Sequence, residues 1–325
     1  MPAAPAPLTL ARHCMATRFE LVLHGLETSR LRAAGEEALD EVDRLERMLS
    51  LYRSDSEIAL LNTRAYREAI PVSWEVFRLL EHARRLWEET QGAFDPTIGP
   101  LMRCWGLMHG HGKVPDEAAL AEARSRTGMQ LVHLDDATHR IRFEREGVTL
   151  DLGAIGKGYA VAQAVRLLQE AGVPHALMHG GTSTVHALGC QPDGSPWKVA
   201  IEIPPRGSAS LHRSPDHSPL AILPLHEESL SVSGVWGRCF ESGGRTYGHL
   251  LDPRTGQPAQ DTVLAAVALP SPTETDALST ALLVEGIEGH ARLASLRPAM
   301  RSLVVQPSTN GWRTALAGIT LLSTP

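Results

Sequence analysis

Apolar residues recur at helical spacing through much of the first half of the chain. Over residues 29–51 they fall three and four positions apart, which predicts a long amphipathic helix with one buried face. A second stripe predicts a helix that is capped by Ser73 and runs to residue 87. Further helices are expected near residues 116–126, directly after the glycine-rich turn at 151–158, and near residues 274–285. The pattern thus predicts five helical segments.

The remaining hydrophobic pattern is typical of β-strands. Residues 17–24 alternate between apolar and polar side chains, and residues 131–144 predict a hairpin. After residue 198 the chain is mostly short β runs, apart from a Pro/Ser-rich segment at 204–219 that is predicted to be a flexible loop. Helices that precede strands, without regular alternation, predict an α+β fold with helices in the N-terminal half and an extensive, mostly antiparallel β region.

Two local predictions concern segments with weaker patterns. Residues 54–62 are expected to form a loop, and residues 148–151 a strand that leads into a glycine-rich turn. The length of 325 residues fits a single domain over 1–325, or two subdomains that share one core.

Composition excludes several classes of protein. The formal net charge is −6 and aromatic residues make up 5% of the chain, which argues against a nucleic-acid platform. No apolar run is long enough to span a membrane. The four cysteines form no CxxC pair, which gives no support to a zinc knuckle. The N-terminus lacks the basic and apolar regions of an export signal, so a cytoplasmic location is predicted, or a periplasmic one if a signal was removed.

Familiar catalytic signatures are absent from the sequence. It contains no GxxxxGK[ST], no GxSxG, no HExxH and no GxGxxG motif. Walker-type, hydrolase, zincin and Rossmann interpretations therefore lack their anchor residues.

Three segments could still carry chemistry. In the glycine-rich turn at 151–158, small residues allow close approach of a phosphate, and Lys157 adds a positive charge. The alternative is a tight structural turn with a solvated lysine.

In the second segment, Asp276 and Thr280 are one helical turn apart, and their oxygens would suit Mg²⁺. The alternative there is a capping box in which Thr273 is the N-cap.

The third segment is YGHLLDPRTG, at residues 247–256. His249 and Asp252 are expected to lie in a strand that runs into the DPRTG turn. An imidazole at this place could act as a general base. The alternative is that His249 only packs beneath the turn, whose Asp-Pro and late glycine have an obvious structural function.

Seven segments together resemble one family, the ApbE flavin transferases, also called FAD:protein FMN transferases. The matching stretches are MATRFE, YRSDSEIALLN, GAFDPTIGPLMRCWG, LDLGAIGKGYAV, SLSVSG, YGHLLDPRTGQP and TDALSTAL. They run from Met15 to about Gly286 in the family's order. Seven ordered motifs are far more specific than any one of them.

The resemblance implies a fold, a reaction and a set of site residues. The fold would be a T-fold-related ApbE-like architecture, with FAD in one cleft. Mg²⁺ would be the cofactor and FAD the substrate: its pyrophosphate is cut, FMN is attached through a phosphoester to a Thr or Ser of a target protein, and AMP leaves. The resemblance assigns FAD contacts to Met15, Tyr52, Ala93, Phe94, Asp95, Asp151, Lys157 and Leu250, metal ligands to Ala154 (through its carbonyl), Asp276 and Thr280, and the catalytic base to His249.

Two positions depart from the family pattern. Thr182 stands where the family usually has Asp or Asn after two glycines, and Ala16 stands where it usually has Gly. The sequence leaves two other functions open. One is an Mg²⁺-dependent FAD pyrophosphatase that uses water as acceptor, and the other is an FAD-binding carrier without catalysis.

Overall fold

An eight-stranded antiparallel sheet forms the centre of the molecule. The computed structural model describes residues 6–108, 112–202, 219–235, 239–259, 261–309 and 311–322. In chain order its strands are β1 (Leu8–Cys14), β2 (Thr17–His24), β3 (Ile70–Pro71), β4 (Val132–Asp135), β5 (Arg140–Phe143), β6 (His175–Gly180), β7 (Thr184–Leu188), β8 (Trp197–Ile201), β9 (Ala221–Leu225), β10 (Glu228–Gly234), β11 (Cys239–Ser242), β12 (Arg245–Gly248), β13 (Leu264–Leu269), β14 (Arg301–Ser308) and β15 (Gly311–Ala317). The large sheet has the order β1-β2-β6-β7-β10-β13-β14-β15.

Helices cover one face of this sheet. The helices are α1 (Thr28–Leu49), α2 (Glu57–Arg64), α3 (Trp74–Glu89), α4 (Gly99–Cys104), α5 (Glu117–Ser125), α6 (Gly156–Glu170) and α7 (Pro272–Ala294). Helix α6 packs between α1 and α7, and α7 lies across β10 and β13. Their apolar faces and the strands beneath them form the main hydrophobic core. A second core lies on the opposite face of the sheet, under the β8–β9 hairpin.

The elements with a strong periodic pattern lie where the sequence predicts them. In α1 the buried residues follow the predicted stripe, and Ser73 caps α3 by accepting a hydrogen bond from the Val76 N–H at 3.3 Å. All strand pairs of the large sheet are antiparallel. The predicted α+β class is therefore confirmed. Residues 204–218 of the predicted flexible loop lie outside the described residues.

Two local predictions are wrong. Residues 57–64 form helix α2 rather than a loop, because Ser56 caps the helix and Ile58 and Leu61 are fully buried. Residues 148–151 form no strand. The Asn62 side chain takes the place of a neighbouring strand there: its amide nitrogen donates to Leu150 O at 2.9 Å, and its oxygen accepts the Leu150 N–H at 2.7 Å.

Two further differences concern element ends. Helix α7 is longer than the predicted 274–285, and it continues past a kink at Gly286, whose φ is 64°. The tight turn between β1 and β2 places Met15 and Ala16 at φ values of 50° and 56°. Alanine is strained in this left-handed region, whereas glycine is not. Over the described residues, no helix is long and apolar enough to cross a lipid bilayer.

Candidate active site

The glycine-rich turn at 151–158 brings a carboxylate, a lysine and a helix N-terminus together. The backbone N–H of Asp151 donates to Pro96 O at 2.7 Å, and the Asp151 side chain accepts the N–H of Gly153 at 2.9 Å. Burial raises the pKa of the Asp151 carboxyl. Lys157, in the first turn of α6, donates through Nζ to Gly153 O at 2.9 Å. Hydrogen bonds within the turn thus fix its conformation, and the Lys157 ammonium group lies on the side of α7.

Helices α6 and α7 approach each other closely at Gly158. A Cβ atom at this position would lie 2.2 Å from Pro272 O and 2.7 Å from the Asp276 Cβ atom. The N–H of Gly158 donates to Asp276 Oδ2 at 2.9 Å. It is one of the N–H groups in the first turn of a helix that have no partner within the helix. Glycine is required here by the close contact, and the contact aims the positive end of the α6 dipole at a carboxylate.

Asp276 is almost fully buried, with 4% of its surface exposed. Its Oδ1 atom lies 3.3 Å from Thr184 Oγ1 and 3.9 Å from Lys157 Nζ. The N-cap of α7 is Ser271, which accepts the N–H of Glu274 at 3.3 Å. The interpretation of Thr273 and Asp276 as a capping box is therefore wrong, and the helix end does not explain why a carboxylate is buried at this place.

Thr280 lies one helical turn beyond Asp276. Its hydroxyl donates to the backbone carbonyl of Asp276 at 3.3 Å and lies 3.3 Å from Ser233 Oγ on β10. The bond to the carbonyl uses the hydroxyl proton, so the Thr280 oxygen faces its surroundings as an acceptor. Asp276 and Thr280 thus share one helix face, as the sequence predicts.

The DPRTG turn is fixed by three different helices. The Asp252 carboxylate accepts two hydrogen bonds of 2.9 Å from the Arg254 guanidinium, which also pairs with Glu285 on α7. Trp105 at the end of α4 donates from Nε1 to Gly256 O at 2.8 Å. From α5, the Arg124 side chain donates to the carbonyl of residue 254 at 3.0 Å. Asp252 therefore has a clear structural function in this turn.

His249 and Leu250 lead into that turn. The predicted strand through residue 252 is too long, because β12 ends at Gly248. His249 follows it directly and is half-buried, as is Leu250. A cleft of about 510 Å³ borders this region. Tyr247 and Asp252, which flank His249 in the sequence, belong to its lining, whereas His249 does not. Asp276 and Thr280 do not line the cleft, which lies along the C-terminal half of α7.

Comparisons with known proteins show to which family this architecture belongs. A profile of the ApbE family matches residues 15–304. The chain belongs to the ApbE family. It is 29% identical to FAD:protein FMN transferase of Klebsiella pneumoniae over 88% of this chain and 81% of that protein. It is 32% identical to FAD:protein FMN transferase of Treponema pallidum, over 85% of this chain and 78% of that protein.

Solved structures give the same result for the fold. The crystal structure of Pseudomonas stutzeri flavinyl transferase ApbE matches with a TM-score of 0.84 and 28% identity, covering 98% of this chain and 96% of that one. The ApbE protein of Thermotoga maritima matches with a TM-score of 0.83 and 25% identity, over 96% and 97% of the two chains. The predicted ApbE-like architecture and the prediction of a transferase enzyme are confirmed by these matches.

The candidate flavin contacts of this ApbE protein occupy several different environments. Met15 lies in the β1–β2 turn, partly buried against the main core, and the Tyr52 side chain is 59% exposed. Ala93 and Phe94 are each only 1% exposed, so their side chains present almost no surface to a ligand in this conformation. Contact between these residues and FAD stays a prediction.

Asp95 has a visible structural role. Its carboxylate accepts the N–H of Thr97 at 2.8 Å and the Thr97 hydroxyl at 2.6 Å, and Thr97 Oγ1 in turn accepts the N–H of Gly128 at 2.6 Å. Burial raises the pKa of Asp95 to about 6. The carboxylate therefore orders the loop between α3 and α4, whatever it does toward a nucleotide.

The predicted metal ligands Ala154, Asp276 and Thr280 have donor atoms that fit a magnesium ion. A carboxylate, a hydroxyl and the carbonyl oxygen of Ala154, in the turn just before α6, are all hard oxygen ligands, which Mg²⁺ prefers. The carboxylate is buried, and Lys157 Nζ lies 3.9 Å from its Oδ1 atom, beyond hydrogen-bonding distance. Negative charge thus remains for a bound ion to neutralise.

Sequence reasoning missed the strand residues that contact this site. Thr182 is exposed in the β6–β7 turn, and Thr184 makes the contact with Asp276. Ser231 and Ser233 on β10 contact Thr184 and Thr280 from below. A signal was present: β10 reads ESLSVSG, with a serine at every second position, so all of them face one side of the sheet.

Proposed function

We propose that this chain is an Mg²⁺-dependent FAD:protein FMN transferase. It would cleave the pyrophosphate of FAD, join FMN through a phosphoester to a Thr or Ser of a target protein, and release AMP. Membership of the ApbE family and the names of the relatives support the reaction. The observation that carries the proposal is the buried Asp276 carboxylate between two helix ends, with Lys157 and Thr280 beside it.

The chain's own residues can be given distinct tasks in this reaction. A pyrophosphate concentrates negative charge, and the protein has a net charge of −6, so local positive charge is needed to hold it. Lys157, anchored on Gly153 O, supplies such a charge next to the N-terminus of α6. Mg²⁺ held by Ala154, Asp276 and Thr280 would stabilise the charge that builds on the phosphate oxygens as AMP leaves.

The acceptor hydroxyl needs a base, because its own pKa is far above neutral pH. His249 is the best candidate, since an ordinary imidazole accepts protons near neutral pH. Asp252 is a poor candidate because both of its oxygens are paired with Arg254. The cleft lined by Tyr247 and Asp252 would admit an acceptor chain to the segment of the chain that contains His249.

The proposal is tested by incubating the purified chain with FAD, Mg²⁺ and candidate acceptor proteins that carry an accessible Thr or Ser. We expect in-gel flavin fluorescence on the acceptor and release of one AMP per flavin transferred. Both should disappear with EDTA or when the acceptor Thr or Ser is replaced by Ala. AMP and free FMN without a labelled acceptor would favour the pyrophosphatase, and binding of FAD without any AMP would favour the carrier.

A further inference from the structure

The two central strands of the sheet carry polar side chains toward the helices. Strand β10 presents three serines on this side, and β7 presents Thr184 and His186 beside them. Their partners on the neighbouring strands are apolar core residues: Met178 on β6 pairs with His186, and Val267 and Ala265 on β13 pair with Ser231 and Ser233. Ser231 is 0% and Thr184 2% exposed. Buried hydroxyls reduce stability unless they are hydrogen-bonded, so this polar stripe points to a role beyond packing.

Two of these hydroxyl groups, those of Ser231 and Thr184, form a chain with the hydroxyl of Thr275 on α7, and the chain ends at Asp276. Thr275 Oγ1 lies 3.0 Å from Pro272 O, and because a carbonyl oxygen can only accept, the Thr275 proton is used there. Ser231, whose Oγ is 2.8 Å from Thr275 Oγ1, therefore donates to Thr275. The hydroxyl proton of Thr184 is the one proton of this chain that is not yet assigned to an acceptor. It faces two acceptors, Ser231 Oγ at 3.1 Å and Asp276 Oδ1 at 3.3 Å.

Positive charge approaches the Asp276 carboxylate on the side of Oδ1. Oδ2 is occupied by the N–H of Gly158, whereas Lys157 Nζ lies 3.9 Å from Oδ1. A divalent cation at Oδ1 would repel the hydroxyl proton of Thr184, which carries partial positive charge. The other acceptor within reach of that proton is Ser231 Oγ.

Building on the proposed function, we propose that Thr184 and Ser231 are positioning residues for the cation site. Thr184 donates to Asp276 Oδ1 when no cation is bound, and its proton turns to Ser231 Oγ when a cation takes Oδ1. Ser231 thereby prevents a buried hydroxyl proton from being left without an acceptor next to a cation. In this way the sheet sets the cation affinity of a carboxylate that belongs to α7.

Calorimetric titration of the purified full chain with Mg²⁺, in the absence of FAD, tests this arrangement. Ser231→Ala removes the second acceptor, so we expect Mg²⁺ affinity to fall about tenfold, as when a buried hydrogen-bonding group loses its partner. Adding Thr184→Val removes the proton itself, so the double variant should regain most of that affinity. If the two substitutions only disturbed packing at independent places, their losses of Mg²⁺ affinity would instead be additive. Ser231→Cys, nearly isosteric but a weaker acceptor, should give an intermediate loss.

Ser229→Ala is the matched control. Ser229 is equally buried on the same face of β10, but it hydrogen-bonds to His186 Nδ1 at 2.7 Å. We expect it to lower the melting temperature without changing Mg²⁺ affinity. The arrangement is wrong if Ser231→Ala binds Mg²⁺ like the wild type, or if the double variant binds more weakly than Ser231→Ala. A wild-type chain that binds no Mg²⁺ would overturn the metal role as well, which distinguishes the two failures.

Discussion

Two carboxylates in this protein are held in opposite ways. The Asp252 side chain, 17% exposed, makes two hydrogen bonds of 2.9 Å with the Arg254 guanidinium. The Asp276 side chain, only 6% exposed, accepts hydrogen bonds from a backbone N–H and a hydroxyl, and Lys157 stays 3.9 Å away. A bidentate guanidinium compensates a carboxylate's charge far better than neutral donors do. The comparison indicates that Asp252 stabilises a turn, whereas the protein compensates the Asp276 carboxylate less completely.

The largest difference in activity is expected when each of the two carboxylates is replaced by its isosteric amide. Asp276→Asn should abolish Mg²⁺-dependent release of AMP from FAD, because an amide cannot supply the negative charge that holds a divalent cation. Asp252→Asn should keep activity within about tenfold of the wild type and cost about 1 kcal/mol of stability, as for other partly exposed ion pairs. AMP release measured by chromatography, with melting curves for folding, decides the comparison. Similar losses in both variants would show that the two carboxylates are equivalent.

The second effect concerns the base beside the DPRTG turn. His249→Ala should slow flavin transfer by about 10²–10⁴-fold, the usual contribution of a general base, and leave FAD affinity nearly unchanged. Added imidazole should restore part of the rate. His133→Asn, on the exposed edge of β4, is the control and should have no effect. If imidazole restores nothing and the variant melts at a lower temperature with its activity per folded molecule preserved, then His249 only packs beneath the turn.

Asp95 extends the comparison to a carboxylate whose hydrogen bonds come from neutral groups. Its pKa is raised by burial to about 6 in the folded protein. The folded state therefore holds the proton more tightly than the unfolded state. The resulting stabilisation is complete below about pH 4 and is lost as the pH rises through 6, with a change of at most about 3 kcal/mol.

Asp95→Asn should remove this dependence, since an amide does not titrate. Urea unfolding at several pH values would show the free energies of unfolding of the variant and the wild type converging or crossing between about pH 4 and 6. Asp136→Asn, at an exposed position, should follow the wild-type curve. A constant difference between Asp95→Asn and the wild type at every pH would mean that burial of Asp95 does not change its titration.

The smallest effect concerns backbone strain, where neither carboxylate is involved. Ala16 has a φ of 56°, so Ala16→Gly should relieve strain, although glycine loses more entropy on folding. We expect a net gain of about 0.5 kcal/mol in the free energy of unfolding. The same change at Ala121, exposed in the middle of α5, should lower it by about 0.5–1 kcal/mol. Losses in both variants would show that the β1–β2 turn carries no strain at Ala16.

Local signals in the sequence determined much of the fold. The apolar stripe of α1 and the Ser73 cap of α3 use interactions within a few residues, so their patterns can be interpreted without the rest of the chain. The i and i+4 spacing of Asp276 and Thr280 placed both on one face of α7 for the same reason. The local pattern failed for α2, a helix of two turns whose apolar residues are too few to show a period.

What only the tertiary structure decided depends on contacts between distant segments. Asn62 holds Leu150 in place of a strand, across 88 positions. Ser231 meets Thr184 because β10 lies next to β7 in the sheet, and the two are 47 positions apart in the chain. Such pairs leave no spacing in the sequence, because strand order and register are set by the packing of the whole sheet. The sequence alone could therefore name the carboxylate on α7, but the hydroxyl groups of Thr184 and Ser231 lie near it only because of the strand order.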